Sequence, residues 1–426
     1  MKLIIRQATI IDQESAFNQK TCDVLVSDGI IKKIAAKISD SDSSRDADKE
    51  INGKDCFVSP GFFDLHVNFR EPVFEYKEDL QSGCKAAMAG GFTGVLQMPS
   101  TFPVMQNRSG IEFIRNKTKV SLVDVEIAGA LSVDLEGSDM TEMFDMHQSG
   151  AVCFTDDKKS VQDAGLMVRA LLYAKNFNGL IMSFANDKWL SGKGQMNEGI
   201  ISTQLGLKGM PALAEELMIA RDLMLCEYAE SKIHFTTIST KGAVELIRNA
   251  KAKGLKVTCD VAAHHLLLND SNLEEFDTRF KIKPPLRTDA DIAALKNGLK
   301  DGTIDAICSD HSPEDIENKQ KEFDHAAFGA EGLETAFAAA YTALKDILTT
   351  EQLVEKLSTS PRKILGLPAM KISEGEKANL TLFSLAEEWQ VADSNIHSKS
   401  RNNPFIGRKL KGKIKAVINN GQFFVS

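Results

Sequence analysis

Short apolar runs alternate with amphipathic stretches between about residues 56 and 315 of this 426-residue chain. Segments such as QDAGLMVRALLYAKN and PALAEELMIARDLMLCEYAE carry apolar residues at the i, i+3, i+4 spacing of a helix. The runs between such segments are rich in β-branched and apolar residues and predict eight strands, at 57–69, 92–100, 123–131, 151–157, 180–187, 232–240, 256–265 and 305–313. Eight strands alternating with helices predict an α/β fold with a TIM-type (β/α)8 barrel over residues 56–369. An open doubly wound sheet is the alternative.

The two ends of the chain follow a different pattern. Residues 1–55 and 370–426 alternate apolar and polar positions, and they contain the hairpin signals Asp-Gly at 28–29 and Asn-Gly at 420–421. We therefore expect both termini to build one small β-sandwich domain beside the barrel. The polar segment SDSDSSRDADKE, at 39–50, is expected to form an exposed loop.

Composition and charge argue against several classes of function. The chain is 43% hydrophobic and 26% charged, which is typical of a globular protein, and its net charge of −8 without a basic cluster argues against nucleic acid as a partner. No apolar run approaches the roughly 20 residues that span a bilayer, and the N-terminal MKLIIRQATIIDQ has the pattern of a strand rather than a signal peptide, so no membrane partner is expected. Seven scattered cysteines without a C-x-x-C pair predict reduced, mostly buried thiols in a cytoplasmic protein.

Barrel enzymes carry their chemistry at the C-terminal ends of the strands. His66 and Asn68, in DLHVNFREP, lie two residues apart at the end of the first strand and so share one face. At such a position a histidine is either a metal ligand or a hydrogen-bonded residue of the barrel interior. The pair His264-His265 follows the seventh strand, where adjacent side chains point to opposite faces, so packing and capping are favoured over a shared metal.

Acidic residues close two other predicted strands. The fourth strand ends in Thr155-Asp156-Asp157 and the eighth in Ser309-Asp310-His311. Carboxylates at such ends are costly to bury unless they are paired or bind a metal, and helix capping is the alternative role for each.

Several stretches, in order along the chain, resemble the dihydroorotases of the large type that associates with aspartate transcarbamoylase, within the amidohydrolase superfamily. They are SPGFFDLHVNFREPVFEYKEDLQSG, AGGFTGVLQMPST, FTDD, HFTTISTKGAVELIRNAKAKGLKVTCDVAAHHLLL, KPPLR, LKDGTIDAICSDHSPED, AAFGAEGLETA and NNPFIGRKLKGK. The resemblance covers essentially the whole chain. It implies a zinc-dependent barrel enzyme of pyrimidine biosynthesis that interconverts carbamoyl aspartate and dihydroorotate.

The resemblance implies that part of the family's metal site is retained. His66 matches the first histidine of the H-x-H motif, and Asn68, a weak ligand, replaces the second. The aspartate ligand of the FTDDG motif matches Asp157, with Asp156 as the open alternative. The aspartate that is both a metal ligand and the catalytic proton-shuttling base matches Asp310.

The remaining positions of the metal site depart from the family. Besides Asn68, two further imidazole positions are occupied by Phe184 and Thr237, and the glycine after the Asp-Asp pair is Lys158. Because three of four histidine ligands are replaced, we expect no zinc pair. At most one divalent metal is expected, zinc by resemblance or a harder ion such as Mn or Mg.

The substrate pocket departs as well. The resemblance implies that Arg70 holds the substrate carboxylate, while Ser100, Lys283 and Glu314 stand where the family has Asn, Asn and His. Glu314 would repel a substrate carboxylate unless Lys283 pairs with it.

Together these departures predict a dihydroorotase homologue that is weakly active or non-catalytic and has a structural or regulatory role. Some non-catalytic relatives are scaffolds for aspartate transcarbamoylase, which makes that transferase the expected partner, and the resemblance also implies a homodimer. The alternative is an active single-metal dihydroorotase or a hydrolase of another cyclic amide. A regulatory role without the transferase is the third reading.

Overall fold

The computed structural model describes residues 2–39 and 49–426. Its strands are β1 (Lys2–Ile10), β2 (Thr21–Ser27), β3 (Ile30–Ala35), β4 (Lys49–Asn52), β5 (Phe57–Pro60), β6 (Phe62–Val67), β7 (Phe92–Gln97), β8 (Asp124–Ala130), β9 (Ala151–Thr155), β10 (Ile181–Ser183), β11 (Met196–Asn197), β12 (Gly209–Met210), β13 (Lys232–Phe235), β14 (Lys256–Ala262), β15 (Ala306–Cys308), β16 (Leu380–Gln390), β17 (Lys409–Asn419) and β18 (Gln422–Val425).

Eight of these strands form the predicted parallel barrel. Strands β6 to β10 and β13 to β15 are neighbours in chain order, each paired in parallel with the next. The last strand meets the first through two backbone hydrogen bonds, from Asn68 N to His311 O at 2.8 Å and from His311 N to His66 O at 3.2 Å. Each of the eight predicted runs contains one barrel strand, although the first run divides into two strands, and the C-terminal ends of the barrel strands meet at one barrel mouth.

Helices surround the barrel. They are α1 (Leu80–Ala89), α2 (Arg108–Thr118), α3 (Met143–Ser149), α4 (Ala164–Lys175), α5 (Lys188–Ser191), α6 (Ile200–Leu205), α7 (Leu213–Ala229), α8 (Lys241–Ala252), α9 (Asp289–Lys300), α10 (Ile316–Lys319), α11 (Leu333–Leu344), α12 (Thr350–Val354) and α13 (Ser360–Leu365). Single 3-10 turns lie at Val133–Leu135, Ala263–Leu266, Asp270–Leu273, Thr278–Phe280 and Asp393–Asn395, and a π turn at Glu355–Thr359.

Local sequence explains where the helices begin. The Asp163 side chain accepts a hydrogen bond from Gly165 N at the start of α4, and Thr240 accepts one from Ala243 N at the start of α8. These side chains satisfy backbone donors that have no partner within the helix. No helix in the part of the chain that the structure describes is long and apolar enough to cross a membrane.

Both termini contribute to one mixed sheet beside the barrel. Its order is β18-β17-β16-β5-β1-β2-β3, with β4 paired to β1. The predicted hairpin turns are confirmed, since Asp28 and Gly29 have φ of 53° and 74°, and Asn420 and Gly421 have 50° and 69°. Of the predicted loop at 39–50, residues 40–48 lie outside the described residues, whereas Lys49 and Glu50 belong to β4.

The run predicted as one strand at 57–69 divides at Gly61. Its first half, β5, pairs with β1 and β16 of the terminal sheet, and its second half, β6, opens the barrel. Glycine is required there because a Cβ would overlap Thr93 and Asn379. Next to this junction the Phe62 ring packs against Phe337 and Phe383, with centroids 5.4 and 5.7 Å away. The barrel-facing side of the sheet therefore joins the core of the barrel, while its other side packs in a separate cluster that includes Leu3, Val24 and Leu382.

All seven cysteines are buried and free, as predicted. They are Cys22, Cys56, Cys84, Cys153, Cys226, Cys259 and Cys308.

Candidate functional site

His66 lies at the centre of the barrel mouth, at the end of β6. Its side chain has no exposed surface. His66 Nε2 lies 2.9 Å from Asp157 Oδ1 and 3.7 Å from Asp310 Oδ1, and Nδ1 lies 3.2 Å from Thr236 Oγ1. The structure thus brings together four residues that lie far apart in the sequence.

The two adjacent aspartates after β9 have different environments. Asp156 turns away from the mouth and accepts hydrogen bonds from Leu131 N and Ser132 N, at 3.0 and 2.8 Å. Asp157 faces His66 and also accepts a hydrogen bond from the Ser100 hydroxyl. Burial raises the pKa of Asp156 to about 6, as expected for a carboxyl held mainly by neutral donors. Asp157 is therefore the aspartate that belongs to the site.

Asp157 carries its charge despite its burial. Burial opposes ionisation of this carboxyl, but the attraction of His66 and Lys158, together with the Ser100 hydroxyl, holds its pKa well below the usual range. Asp157 and Asp310 both adopt left-handed backbone conformations, with φ of 52° and 51°. Both residues turn at the end of a strand, where the chain enters a loop.

Lys158 places a cation inside the mouth. Its Nζ lies 2.7 Å from Asp310 Oδ1 and 3.2 Å from Thr237 Oγ1, and it sits 4.9 Å from the centroid of the Phe184 ring. Asp310, Thr237 and Phe184 stand at three positions where the resemblance implies metal ligands. The ammonium group therefore has a carboxylate, a hydroxyl and an aromatic face as neighbours, which are suitable partners for an organic cation.

A second lysine and a neutral histidine complete the mouth. Lys283 Nζ lies 5.6 Å from the centroid of the Phe184 ring, and burial together with the charge of Lys158 lowers its pKa. His264 Nε2 lies 4.0 Å from Asp310 Oδ2, and burial lowers the pKa of His264 well below its usual value. His264 is therefore a neutral side chain of the site.

The two adjacent histidines have different roles because they lie in a 3-10 turn rather than in a strand. His265 turns outward, and its Nε2 lies 3.1 Å from Pro285 O, as expected for a packing residue. His264, for which packing was also expected, faces Asp310 instead.

Arg70 is already engaged by the chain's own carboxylate. Its Nη2 donates to Glu314 Oε1 at 3.1 Å and its Nε donates to Pro313 O at 3.0 Å, while Lys77 Nζ lies 2.7 Å from Glu314 Oε2. Glu314 is paired by Arg70 and Lys77 rather than by Lys283, whose pairing with Glu314 the sequence had left open. Two donors of the Arg70 guanidinium that a substrate carboxylate could use are therefore already engaged, Nη2 by Glu314 and Nε by Pro313 O.

His311 is buried beside the mouth between two carboxylates. Its Nε2 lies 3.6 Å from Glu78 Oε2, and its Nδ1 lies 3.6 Å from Glu331 Oε1. Burial opposes protonation of the ring, but these carboxylates raise the pKa of His311 to about 9. The charged ring therefore links the buried carboxylates of Glu78 and Glu331.

These residues do not fit the zinc site that the resemblance implies. Within residues 2–39 and 49–426, no three His, Cys, Asp or Glu side chains are grouped closely enough to hold a metal ion. Asn68 contributes only a weak amide ligand, and its Nδ2 lies 3.5 Å from Ser312 Oγ. Lys158 binds the Asp310 oxygen that a metal would need. An ammonium and a dication cannot share that position without strong repulsion.

Lys158 and Lys77 were not singled out as site residues from the sequence. The sequence position of Lys158 could have indicated a site residue, since this lysine replaces a glycine directly after two acidic residues at a strand end. Lys77 lies in a loop and carried no comparable signal.

The chain is similar to known dihydroorotases over its full length. A family model described as dihydro-orotase-like matches residues 56–243. A protein of Trichlorobacter lovleyi named dihydroorotase is 40% identical over 428 residues and covers 100% of both chains. Another of that name, from Ruminiclostridium cellulolyticum, is 42% identical and covers 99% of this chain and 98% of its own.

Solved structures support the same fold. The L-hydantoinase (dihydropyrimidinase) from Arthrobacter aurescens has a TM-score of 0.86 at 23% identity, and covers 100% of this chain and 96% of its own. A D-hydantoinase has a TM-score of 0.84 at 26% identity, with 100% and 95% covered.

Proposed function

Because this chain belongs to the dihydroorotase-like family of amidohydrolases, we propose that it serves pyrimidine biosynthesis as a non-catalytic or weakly active dihydroorotase homologue with a structural or regulatory role. The observation that carries the proposal is the 2.7 Å contact between Lys158 Nζ and Asp310 Oδ1. The chain's own cation stands beside the carboxylate that the family uses for both metal binding and proton transfer.

The reaction of the family depends on an activated water. A metal lowers the pKa of its bound water toward neutrality and polarises the carbonyl that is attacked. An ammonium ion has no vacant orbital, so it cannot coordinate a water and lower its pKa as a metal does, and it can polarise a carbonyl only through a hydrogen bond and its charge. Phe184 and Thr237 stand in place of imidazoles, so His66 is the imidazole that remains at the first metal position. The Asp310 oxygen beside it is already paired with the Lys158 ammonium. Hydrolysis of dihydroorotate by the metal-dependent route is therefore strongly impaired.

The substrate side supports the same proposal. Carbamoyl aspartate and dihydroorotate both carry a carboxylate, which Arg70 would bind as a bidentate ligand. Here Glu314 occupies that guanidinium, and the side chain of Glu314 is only 6% exposed. A substrate would have to displace a buried, doubly paired carboxylate before it could bind.

A structural role is supported by the intact scaffold. All eight barrel strands, the surrounding helices and the terminal sheet are present, although the mouth has lost the residues for the chemistry. We propose aspartate transcarbamoylase as the partner. Co-expression of this chain with the transferase tests this partnership, and the two proteins are expected to form a complex. A transferase that assembles and works equally well without the chain would count against the partnership.

Metal content and turnover test the loss of activity. Protein purified without added zinc is expected to contain well under one equivalent of any divalent metal by mass spectrometry. Turnover of carbamoyl aspartate and dihydroorotate, with Zn, Mn or Co supplied, is expected to equal that of Asp310→Ala. A dihydroorotase that retains all four histidines serves as the positive control. Stoichiometric metal together with turnover abolished by Asp310→Ala would reject the proposal.

One observation favours a second candidate, a single-metal dihydroorotase or a hydrolase of another cyclic amide. His66 Nε2, Asp157 Oδ1, Asp310 Oδ1 and His264 Nε2 are buried, and beyond the close contacts of His66 with Asp157 and of Lys158 with Asp310, none has a well-aligned hydrogen bond from any described residue. Converging polar atoms of this kind are what a small polar ligand needs. The same assays, extended to other cyclic amides, distinguish the two candidates.

A further inference from the structure

A cleft of about 720 Å³ lies at the end of the barrel opposite the mouth. Its floor is formed by the first residues of β13 and β14, and its walls by the turn after β1 and by the segment from α12 to α13. We call this space the floor cleft. Small-molecule sites typically measure about 300–1,000 Å³. The floor cleft therefore has the size of a ligand site, and none of the described residues that line it belongs to the mouth.

Two lysines lie side by side in this floor. Lys232 and Lys256 are paired residues of the parallel strands β13 and β14, and such strands lie about 4.8 Å apart. Two residues further along the same strands, His234 Nδ1 lies 2.8 Å from Thr258 Oγ1 inside the barrel. Because side chains two residues apart share a face, both lysines start on the interior side of the barrel wall.

The lysine pair is not neutralised by the chain. In the part of the chain that the structure describes, no carboxylate pairs with either ammonium group. Burial and the charge of Lys256 both lower the pKa of Lys232. Like charges that face each other on neighbouring strands are destabilising. The arrangement therefore favours an anion between the two ammonium groups.

The carboxylates that line the floor cleft are engaged elsewhere or exposed. They are Asp12, Glu14, Asp305, Glu351 and Glu355. Asp12 accepts hydrogen bonds from two backbone amides, at 2.7 and 3.0 Å, and Asp305 pairs with Lys251 at 2.6 Å. Glu351 accepts a hydrogen bond from Asn18 Nδ2 at 3.2 Å, while the other two are exposed. These groups therefore leave the lysine pair available to a ligand.

An unusual backbone segment forms one wall of the floor cleft. The π turn Glu355–Thr359 lies between α12 and α13, and single π turns occur frequently at functional sites. The Ser358 hydroxyl fixes this turn by donating to Gly61 O at 2.9 Å. Lys356, also in the turn, lines the cleft and donates to a backbone carbonyl at 2.8 Å. The wall thus adds a third, well-held cation.

Apolar side chains form much of the remaining wall. They are Ile11, Pro60, Leu180, Leu255, Val354 and Ile364. Ligand sites commonly combine such an apolar lining with a few polar groups that fix the orientation of the ligand. The floor cleft therefore suits a molecule with an anionic head and an apolar body.

We propose that the floor cleft binds a small organic phosphate, with its phosphate group between Lys232 and Lys256 and its apolar body against the wall. A phosphate monoester carries about 1.5–2 negative charges at neutral pH, which matches two ammonium groups. Lysine is a common phosphate ligand, acting as a point charge. A monocarboxylate would neutralise only one of the two lysines. The proposal does not depend on whether the barrel mouth is catalytic.

Calorimetry on the full chain with phenyl phosphate tests the proposal. This probe is expected to bind at least about tenfold more tightly than inorganic phosphate, because its ring is buried against the apolar wall. Lys232→Met and Lys256→Met are each expected to weaken binding at least about tenfold. Lys253→Met is the matched control, since Lys253 is exposed, lies outside the cleft and makes the same change in net charge. It is expected to leave the affinity unchanged.

Thermal unfolding checks that the variants fold. Without ligand, Lys232→Met is expected to raise Tm by about 1 °C, because it removes a repulsion between like charges. Phenyl phosphate is expected to raise the Tm of the wild type and not that of this variant.

A further variant distinguishes the floor cleft from the mouth, which also contains lysines. Lys283→Met is expected to bind phenyl phosphate as the wild type does. Binding that is lost in Lys283→Met and kept in Lys232→Met would place the anion at the mouth and overturn the proposal. A wild type that does not bind phenyl phosphate would overturn it too, as would an equal loss of affinity in Lys253→Met and Lys232→Met.

Discussion

Replacing Lys158 by methionine tests whether its ammonium neutralises the barrel mouth. The Asp310 side chain is 4% exposed and that of Lys158 is 21% exposed. Removal of one partner from a buried ion pair costs roughly 3–5 kcal/mol, because the other charge stays buried without compensation. Since about a fifth of the Lys158 side chain reaches solvent, screening by water reduces this cost. We expect Lys158→Met to lower the free energy of unfolding by about 2–3 kcal/mol.

Thermal unfolding converts this loss into a measurable shift. An unfolding entropy of about 2.1 cal/mol/K per residue gives roughly 0.9 kcal/mol/K for a chain of this length, so Tm is expected to fall by about 2–3 °C. Lys159→Met is the matched control, because Lys159 is the next residue and is exposed. Surface substitutions of this kind change stability by about 0.5 kcal/mol or less, which predicts a Tm shift below about 1 °C.

A double-mutant cycle isolates the pair. Asp310→Asn is expected to destabilise the protein as well, because it leaves the Lys158 ammonium without its carboxylate. The double variant Lys158→Met/Asp310→Asn is expected to be more stable than the sum of the single effects by about 2 kcal/mol. Additive effects, or a Lys158→Met variant as stable as the wild type, would refute the conclusion that Lys158 is the counter-ion of Asp310.

Three other variants test separate parts of the structure. His311 has a pKa of about 9 in the fold, above the usual 6.5. Protonation of its ring therefore contributes about 3 kcal/mol to the free energy of unfolding. This contribution is fully present below pH 6.5 and is lost as pH rises through 9. His311→Gln should flatten the fall in wild-type Tm from neutral to alkaline pH, and parallel curves would contradict this. Glu314→Gln frees Arg70 and is expected to tighten carbamoyl aspartate binding at least about fivefold by calorimetry, since one like charge costs about 1 kcal/mol even in water; unchanged affinity would contradict the predicted repulsion. Phe62→Ala is expected to cost about 3–5 kcal/mol, or about 3–5 °C in Tm, whereas Phe113→Ala, at a 43%-exposed site, should have little effect.

The barrel was predictable because its pattern is local and repeated. Eight apolar runs separated by amphipathic segments leave few alternative folds, and Asp28-Gly29 and Asn420-Gly421 specify their turns through residues that tolerate positive φ. The division of the first run at Gly61 was not predictable. It depends on Thr93 and Asn379, which approach from distant parts of the chain.

Charge pairing in the site was harder to predict than residue proximity. The strand ends indicated that His66 and Asp310 would share the mouth, because parallel strands end at the same edge. Which lysine neutralises which carboxylate depends on loop geometry. The sequence left open a pairing of Lys283 with Glu314, but Lys283 lies over the Phe184 ring. The carboxylate is paired instead by Arg70 and Lys77, the latter from a loop that carried no recognisable motif.

Internal charge balance explains how the fold persists after the imidazoles are lost. In a metal-dependent site, the cation offsets the buried carboxylates, and its removal would leave Asp157 and Asp310 uncompensated at a cost of several kcal/mol each. Here His66 contacts Asp157 and Lys158 contacts Asp310, so each carboxylate has a partner from the chain itself. The barrel therefore does not require a metal for its charge balance. A dihydroorotase-family chain whose buried carboxylates are paired in this way can retain its architecture without a bound metal.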